Sequence, residues 1–477
     1  MIFPEYESYD ALGLAEIVRT GAVSASELLD AAIERIEARE GQIGAIAIRM
    51  FDEARAAIAS GLPSGPFTGV PFSLKDLSVN YSGVPTTAAS RLYSDFVPDH
   101  DSTLVTRYRR AGLVTLAKTK TPEFALSLTT EPTLYGPARN PWNLAYSPGG
   151  SSGGAAAAVA AGYMPMAHAT DGGGSIRVPA SFCGLFGLKP SRGRISLAPD
   201  FGEMLAGMAT SHCLSWSVRD SAALLDASAG PEPGDPYAAP PLARPLLDEV
   251  GAPPGKLRIA LCATDFLGNQ IDPECEAAAR AAGILCETLG HHVEEARPDL
   301  DGLSLLDAWR VIPAINVFVN ASTRAKALGR EVSPSDLEPL NFAWMEAGRE
   351  YSGADFLRVI SLMHALARRV GAFFENYDLI LTPTLGQKSL KLGTIDTQST
   401  DVERHVSLLF GEIAPHTALF NQTGGAAMSV PFTQTQDGLP LGVQFAGRLG
   451  DEPKLIRLAA QIEEAQPWFN SRPATFS

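Results

Sequence analysis

With 477 residues and 45% hydrophobic side chains, the chain can bury a large core, and length alone would allow about three domains at roughly 150 residues each. A formal net charge of −15 without clustered Lys and Arg argues against a nucleic-acid partner, because phosphate contacts need such clusters. No uninterrupted apolar stretch reaches the ~18 residues of a membrane-spanning helix, and residues 1–10 lack the charged and apolar regions of a secretory leader. A cytoplasmic protein with no membrane partner is therefore expected.

The N-terminal part predicts helices. Residues 9–20 are apolar at helical spacing, and Ser24-Ala25-Ser26-Glu27 has the capping-box pattern, opening a second helix expected to reach Glu40. Leu28, Leu29, Ala32, Ile33 and Ile36 give that helix one buried face. A short strand at 45–48 and a helix at 51–60 follow. GVPFSLKD, from Gly69 to Asp76, predicts a strand with Val70, Phe72 and Leu74 on one face and Lys75 near its end on the other. Residues 103–111 then predict a helix, 113–117 a strand, 131–146 an irregular loop, and 155–162 an alanine-rich helix.

Residues 231–254 are dense in proline and predict an extended surface connection, the one sub-boundary expected in the chain. Beyond it, strands are expected at 256–263, 292–296 and 377–384. Helices are expected at 273–289, where Asp272-Pro273 supplies cap and first residue, across most of 303–369, and at 452–465. Helices alternating with strands argue for an α/β sheet. Five cysteines (Cys183, Cys213, Cys262, Cys275 and Cys286) form no C-x-x-C pair and no metal-ligand spacing, so reduced thiols and no metal are expected. Cys183, although near the serines discussed next, follows Phe182 in an apolar run and reads as a packing residue.

Packing requirements do not explain Gly149-Gly150-Ser151-Ser152-Gly153-Gly154 and Gly172-Gly173-Gly174-Ser175, which hold too few side chains to build core. Glycines beside a serine can aim several N–H groups at one point, as an oxyanion hole requires, which makes Ser175 a candidate nucleophile. His168, in the same segment, has no acidic residue beside it to orient it, so the base must come from elsewhere. Lys75 qualifies if buried, since desolvation can lower a lysine pKa by roughly 3–5 units, and serine with lysine suffices for acyl transfer. A phosphate-binding loop at 149–154 is excluded because no Lys-Ser or Lys-Thr follows it.

At these residues the sequence resembles the amidase signature family. GVPFSLKD resembles the family's lysine motif, SPGGSSGGAAAAVAAG its central motif, and DGGGSIRVPASFCGLFGLKPSRGR its nucleophile motif, in the family's order. The C-terminal residues 421–444 also resemble the family pattern, with Gly425 and Ala426 in place of its frequent Gln-Pro. The resemblance implies one α/β domain over 1–477 with a central mixed sheet covered by helices on both faces. It implies Lys75 as base, Ser151 as proton relay and Ser175 as acylated nucleophile, the family spacing selecting Ser151 over Ser152. It further implies oxyanion N–H groups from Gly172, Gly173 and Gly174 to Ser175, a cis peptide at Ser151 supported by Asp171 and Arg177, and no cofactor. For Ser152, a turn hydroxyl or helix cap stands beside a chemical role.

Gly172 stands where many members carry Thr or Ile, and this DGGGSIR variant resembles that of bacterial amidases acting on aryl amides, cyclic nylon oligomers or carbamates. Segments 201–208, 309–318, 342–344 and 410–420 are expected to line the pocket. They are aromatic, aliphatic and poor in arginine, which suits a neutral, fairly apolar small-molecule amide or carbamate, handled by a monomer or homodimer. His405 and His416 read as core or surface residues. Two other functions compete. An amidotransferase A subunit would pass ammonia to a partner acting on charged tRNA, but such subunits often carry Gln after the SIR, where this chain has Val178. A non-catalytic binding protein is disfavoured because all three catalytic side chains are present.

Overall fold

Eleven strands divide between two sheets in the structure, a computed structural model that describes residues 3–476. The first two residues of the stretch searched for a leader lie outside the described residues. In chain order the strands are β1 (Ile46–Arg49), β2 (Pro71–Lys75), β3 (Val114–Thr119), β4 (Met166–Asp171), β5 (Phe186–Lys189), β6 (Thr210–Ser215), β7 (Arg258–Leu261), β8 (His292–Glu295), β9 (Leu379–Pro383), β10 (Ala427–Gln434) and β11 (Pro440–Ala446). The small sheet has the order β1-β3-β2, and the large one β4-β6-β5-β10-β11-β9-β7-β8. β2 pairs with β3, and β7 with β8 and β9, in parallel, while the other pairs are antiparallel. The mixed sheet flanked by helices agrees with the expected fold class.

The N-terminal helices form as their caps dictate. The second runs from Ala25 to Ile43, three residues beyond the expected end, and stops at Gly44 in the left-handed region at φ 63°. Its capping box is complete: Ser24 Oγ accepts from the Glu27 N–H at 3.2 Å, and the Glu27 carboxylate accepts from the Ser24 N–H at 2.8 Å. Ser24→Ala should cost about 1 kcal/mol, read as a lower urea midpoint with unchanged slope. An unchanged midpoint would show that the cap adds nothing here.

Strands β4, β5, β6, β10 and β11 of the large sheet were not among the expected elements, although Met428, Val430 and Phe432 of β10 and Leu441, Val443 and Phe445 of β11 alternate with polar or small residues. MAHATD and TSHCLS are buried throughout, so neither face needs to be polar, and their polar residues serve internal hydrogen bonds instead. The proline-rich stretch is extended as expected, with a short turn at Leu246–Glu249. It is tied back to the body where the Ala239 N–H donates to Gly193 O at 3.0 Å and Arg194 Nη1 to Pro240 O at 2.7 Å. No helix among the described residues is long and apolar enough to cross a membrane.

Candidate active site

The edge strand β2 of the small sheet packs against β4 of the large one, and the lysine and serine motifs meet at this seam. Lys75, the last residue of β2, is fully buried, and its N–H donates to His168 Nδ1 on β4 at 3.1 Å. Its Nζ lies 2.7 Å from Ser151 Oγ, 3.0 Å from Ser152 Oγ and 2.8 Å from Thr170 Oγ1. Burial pushes its pKa well below the ordinary 10.5, against the weaker pull of Asp171. Two other buried lysines reach neither serine: Lys118 donates to Pro85 O and Thr86 Oγ1, and Lys189 to Pro190 O.

The Gly150–Ser151 peptide is cis, in agreement with what the resemblance implies. Glycine is required at position 150 because a Cβ there would lie 2.7 Å from the backbone of Ser127 and Leu128. Ser152 stands at the N-cap position of the helix Gly153–Ala160 but makes no side-chain cap bond. Its Oγ instead accepts from the Thr170 N–H at 3.2 Å and donates to Thr170 O at 3.1 Å. With its proton spent there, Ser152 can only accept from Lys75. Thr170, which sequence reasoning missed, thus completes a ring of three hydroxyls around the amine.

Ser175 follows β4 through Gly172, Gly173 and Gly174. Its hydroxyl has no hydrogen-bond partner among the described residues and faces a cavity that Ser151 also lines. The loop is held by a buried ion pair. Asp171 accepts from Arg177 Nη2 at 2.8 Å and Nε at 3.0 Å, from the Gly174 N–H at 2.8 Å, from the Ile176 N–H at 3.1 Å and from Asn421 Nδ2 at 2.9 Å. Burial alone would raise its pKa, yet the Arg177 guanidinium and these bonds hold the carboxyl well below 3.8. Arg177 also reaches Thr417 O, Gln444 Oε1 and Asn421 Oδ1 at 2.9, 2.7 and 2.6 Å.

Gly174 corrects one expectation: its N–H is committed to Asp171 and cannot face an oxyanion. The N–H groups of Gly172, Gly173 and Ser175 have no partner among the described residues. At Gly173 a Cβ would lie 2.7 Å from Trp309 Cη2 and 2.8 Å from Phe410 Cε1, so only glycine fits beneath this aromatic pair.

His168 is buried and its pKa is pushed down to about 3, first by burial and then by Lys75, so it stays neutral. Cys183 is buried and points its thiol at Pro148 O, consistent with packing. His405 and His416 stay out of the cavity, bonding Leu126 O and Thr264 O. All five cysteines are free.

The cavity above Ser175 spans about 1000 Å³ of empty space, part of it open to solvent. Ser151, Thr170, Gly172 and Gly173 form its floor with Ser175, and no charged side chain lines it. Of the expected lining segments, Met204 and Leu205, Trp309 to Val317, Trp344 and Phe410 contribute, as do the unforeseen Ser78 and residues 124–128. Ser78, Phe124, Ala125 and Leu205 in this wall are non-glycine residues in the left-handed region, at φ 57°, 51°, 59° and 52°. Backbone strain is therefore concentrated where the cavity is shaped.

A mixed sheet with a buried lysine beside a glycine- and serine-rich loop defines the class of amidase signature proteins. The amidase family model matches residues 27–456, and the chain belongs to that family, as a hydrolase of carbon–nitrogen bonds in non-peptide amides. It is 39% identical to a 6-aminohexanoate-cyclic-dimer hydrolase of Pseudomonas sp. (strain NK87), over 97% of this chain and 96% of that protein. A solved structure of 6-aminohexanoate cyclic dimer hydrolase superposes with a TM-score of 0.94 at 37% identity, covering 99% of both chains. A bacterial aryl acylamidase superposes with a TM-score of 0.89 at 26% identity, covering 98% of each chain.

Proposed function

We propose that the protein hydrolyses neutral, fairly apolar amides through an acyl-enzyme on Ser175, with Lys75 as base and Ser151 as relay. The observation that carries this is the buried Lys75 amine 2.7 Å from Ser151 Oγ, beside a cavity onto which Ser151 and Ser175 both open. A neutral amine has two N–H groups and one lone pair. Donating to Ser152 and Thr170 leaves the lone pair for the Ser151 proton.

Ser151 in turn takes the Ser175 proton as Ser175 Oγ attacks the carbonyl carbon. The oxyanion meets N–H groups from Gly172, Gly173 and Ser175. Collapse breaks the C–N bond, and the leaving amine receives the proton back through Ser151. Water then repeats the path and releases the acid. No step calls on a metal or cofactor.

Aryl amides, anilides, oligoamides and aryl carbamates suit an uncharged cavity, and esters should react wherever amides do. Val178 in place of the amidotransferase Gln supports a free-standing hydrolase. The test is hydrolysis of a nitroanilide, a primary aryl amide, an aryl carbamate and a nitrophenyl ester by wild type and Ser175→Ala, with fluorophosphonate labelling of both. Loss of turnover and label in the variant is expected. Retained turnover by Ser175→Ala would overturn the nucleophile assignment.

A further inference from the structure

Nothing in the proposed cycle uses His168, yet a fully buried imidazole stands against the base. Strands β2 and β4 belong to different sheets and share no backbone hydrogen bond among the described residues. The two side-chain bonds that cross between them both end on Lys75, its N–H on His168 Nδ1 at 3.1 Å and its Nζ on Thr170 Oγ1 at 2.8 Å.

The N–H groups along a strand point alternately to either side, and β2 is the edge of its sheet. The Asp76 N–H donates to Thr119 O on β3 at 3.0 Å, so the Lys75 N–H faces away from β3 and needs a partner in the seam. A backbone N–H can only donate, so Nδ1 accepts and the neutral ring carries its proton on Nε2. Burial, then Lys75, His212 on β6 and Lys118 on β3 keep the ring from taking a second proton.

Nε2 itself is buried without a partner among the described residues. The Tyr108 ring, on the helix Thr103–Arg110, meets the imidazole edge-on with centroids 6.1 Å apart, and its own hydroxyl is equally unpaired. An apolar side chain would fill this space without burying an unpaired N–H. His168 does not line the cavity either. Packing and substrate contact therefore leave the imidazole unexplained, and the Lys75 N–H explains it.

We propose that His168 is a positioning residue for the base: by holding the Lys75 N–H across the seam, it fixes the end of β2 so that Nζ stays within reach of Ser151 Oγ. This deepens the proposed hydrolysis and rests on its assignment of Lys75. Thr170 holds the amine, and His168 holds the backbone that carries it. Without His168 the strand end is free to drift from β4, which slows proton transfer and leaves substrate binding alone.

The test compares His168→Leu, which removes the acceptor, with His168→Asn, whose amide oxygen can take the place of Nδ1. Each is made in wild type and in Lys75→Met, and kcat and KM are followed with a nitroanilide and a nitrophenyl ester. His168→Leu should lower kcat for the anilide roughly 10- to 100-fold with KM within about twofold, and His168→Asn should recover most of the loss. On the Lys75→Met background, where no base remains to be placed, His168→Leu should change ester turnover by less than about twofold.

Equal losses in the two variants, no loss in either, or a loss as large without Lys75 as with it would overturn the positioning role. His168→Met stands in should the leucine variant fail to fold, and the rate of fluorophosphonate labelling at Ser175 gives the same comparison if wild type cleaves neither compound. Lys75→Met with wild-type turnover would remove the base assignment and this inference with it. An impaired Lys75→Met beside an unaffected His168→Leu would leave the hydrolysis standing and overturn the positioning role alone.

Discussion

Lys75→Ala should lower amide turnover by about 10³-fold or more, at the upper end of what a positioned general base contributes. A nitrophenyl ester should lose less, because its leaving group departs without a proton, whereas an amine must receive one through Ser151. In wild type, kcat/KM should rise with pH through a single ionisation well below 10.5, since burial depresses the Lys75 pKa, and the variant should lack that rise. Lys75→Met, which fills the same space, separates chemistry from folding. Wild-type Lys75 binds fewer protons folded than unfolded between its depressed pKa and 10.5, so it costs stability at the lower end of that window and less as pH rises. The methionine variant should therefore be inactive yet more resistant to urea near neutral pH. Near-normal turnover in either variant would remove Lys75 from the mechanism.

The second large effect concerns the ion pair under the nucleophile loop. Arg177→Met leaves Asp171 buried without its counter-ion and should cost about 3–5 kcal/mol of stability, far beyond an exposed pair. In wild type the Asp171 carboxyl is held below 3.8. Its contribution is therefore complete above that value and is lost as pH falls through the folded pKa. Without Arg177, burial raises the carboxyl instead, so the deficit against wild type should widen from about pH 4 to about pH 7. Asp171→Leu combined with Arg177→Met should recover part of the loss, because no lone charge remains buried. Urea melts across pH decide the matter. A deficit independent of pH would mean that lost packing, not the stranded carboxylate, is responsible.

Much of the site could be read in advance because its glycines and serines have no packing use, and because Lys75 closes a strand with Phe72 and Leu74 on its apolar face. Thr170 could not. It sits in β4, where Ala167, Ala169 and buried polar residues alternate without any apolar stripe, so nothing marked the segment as a strand or the hydroxyl as a partner of Lys75. The helices were legible from their caps, as at Ser24 and Asp272, whereas β4 and β6, buried along their whole length, carry no apolar stripe against a polar one. The cavity wall was only partly visible for a different reason. Ser78, Phe124, Ala125 and Leu205 hold left-handed conformations that sequence advertises only when the residue is glycine.

The uncharged cavity bears on how a catalytic cycle ends. Cleavage of a neutral amide yields a carboxylic acid that ionises in water and an amine that does so only when it is not aromatic, and an apolar chamber without a charged side chain offers such ions no counter-charge to replace their hydration. A lining that suits a neutral substrate therefore disfavours the carboxylate once it separates, so its solvation should favour departure and inhibition by accumulated acid should be weak.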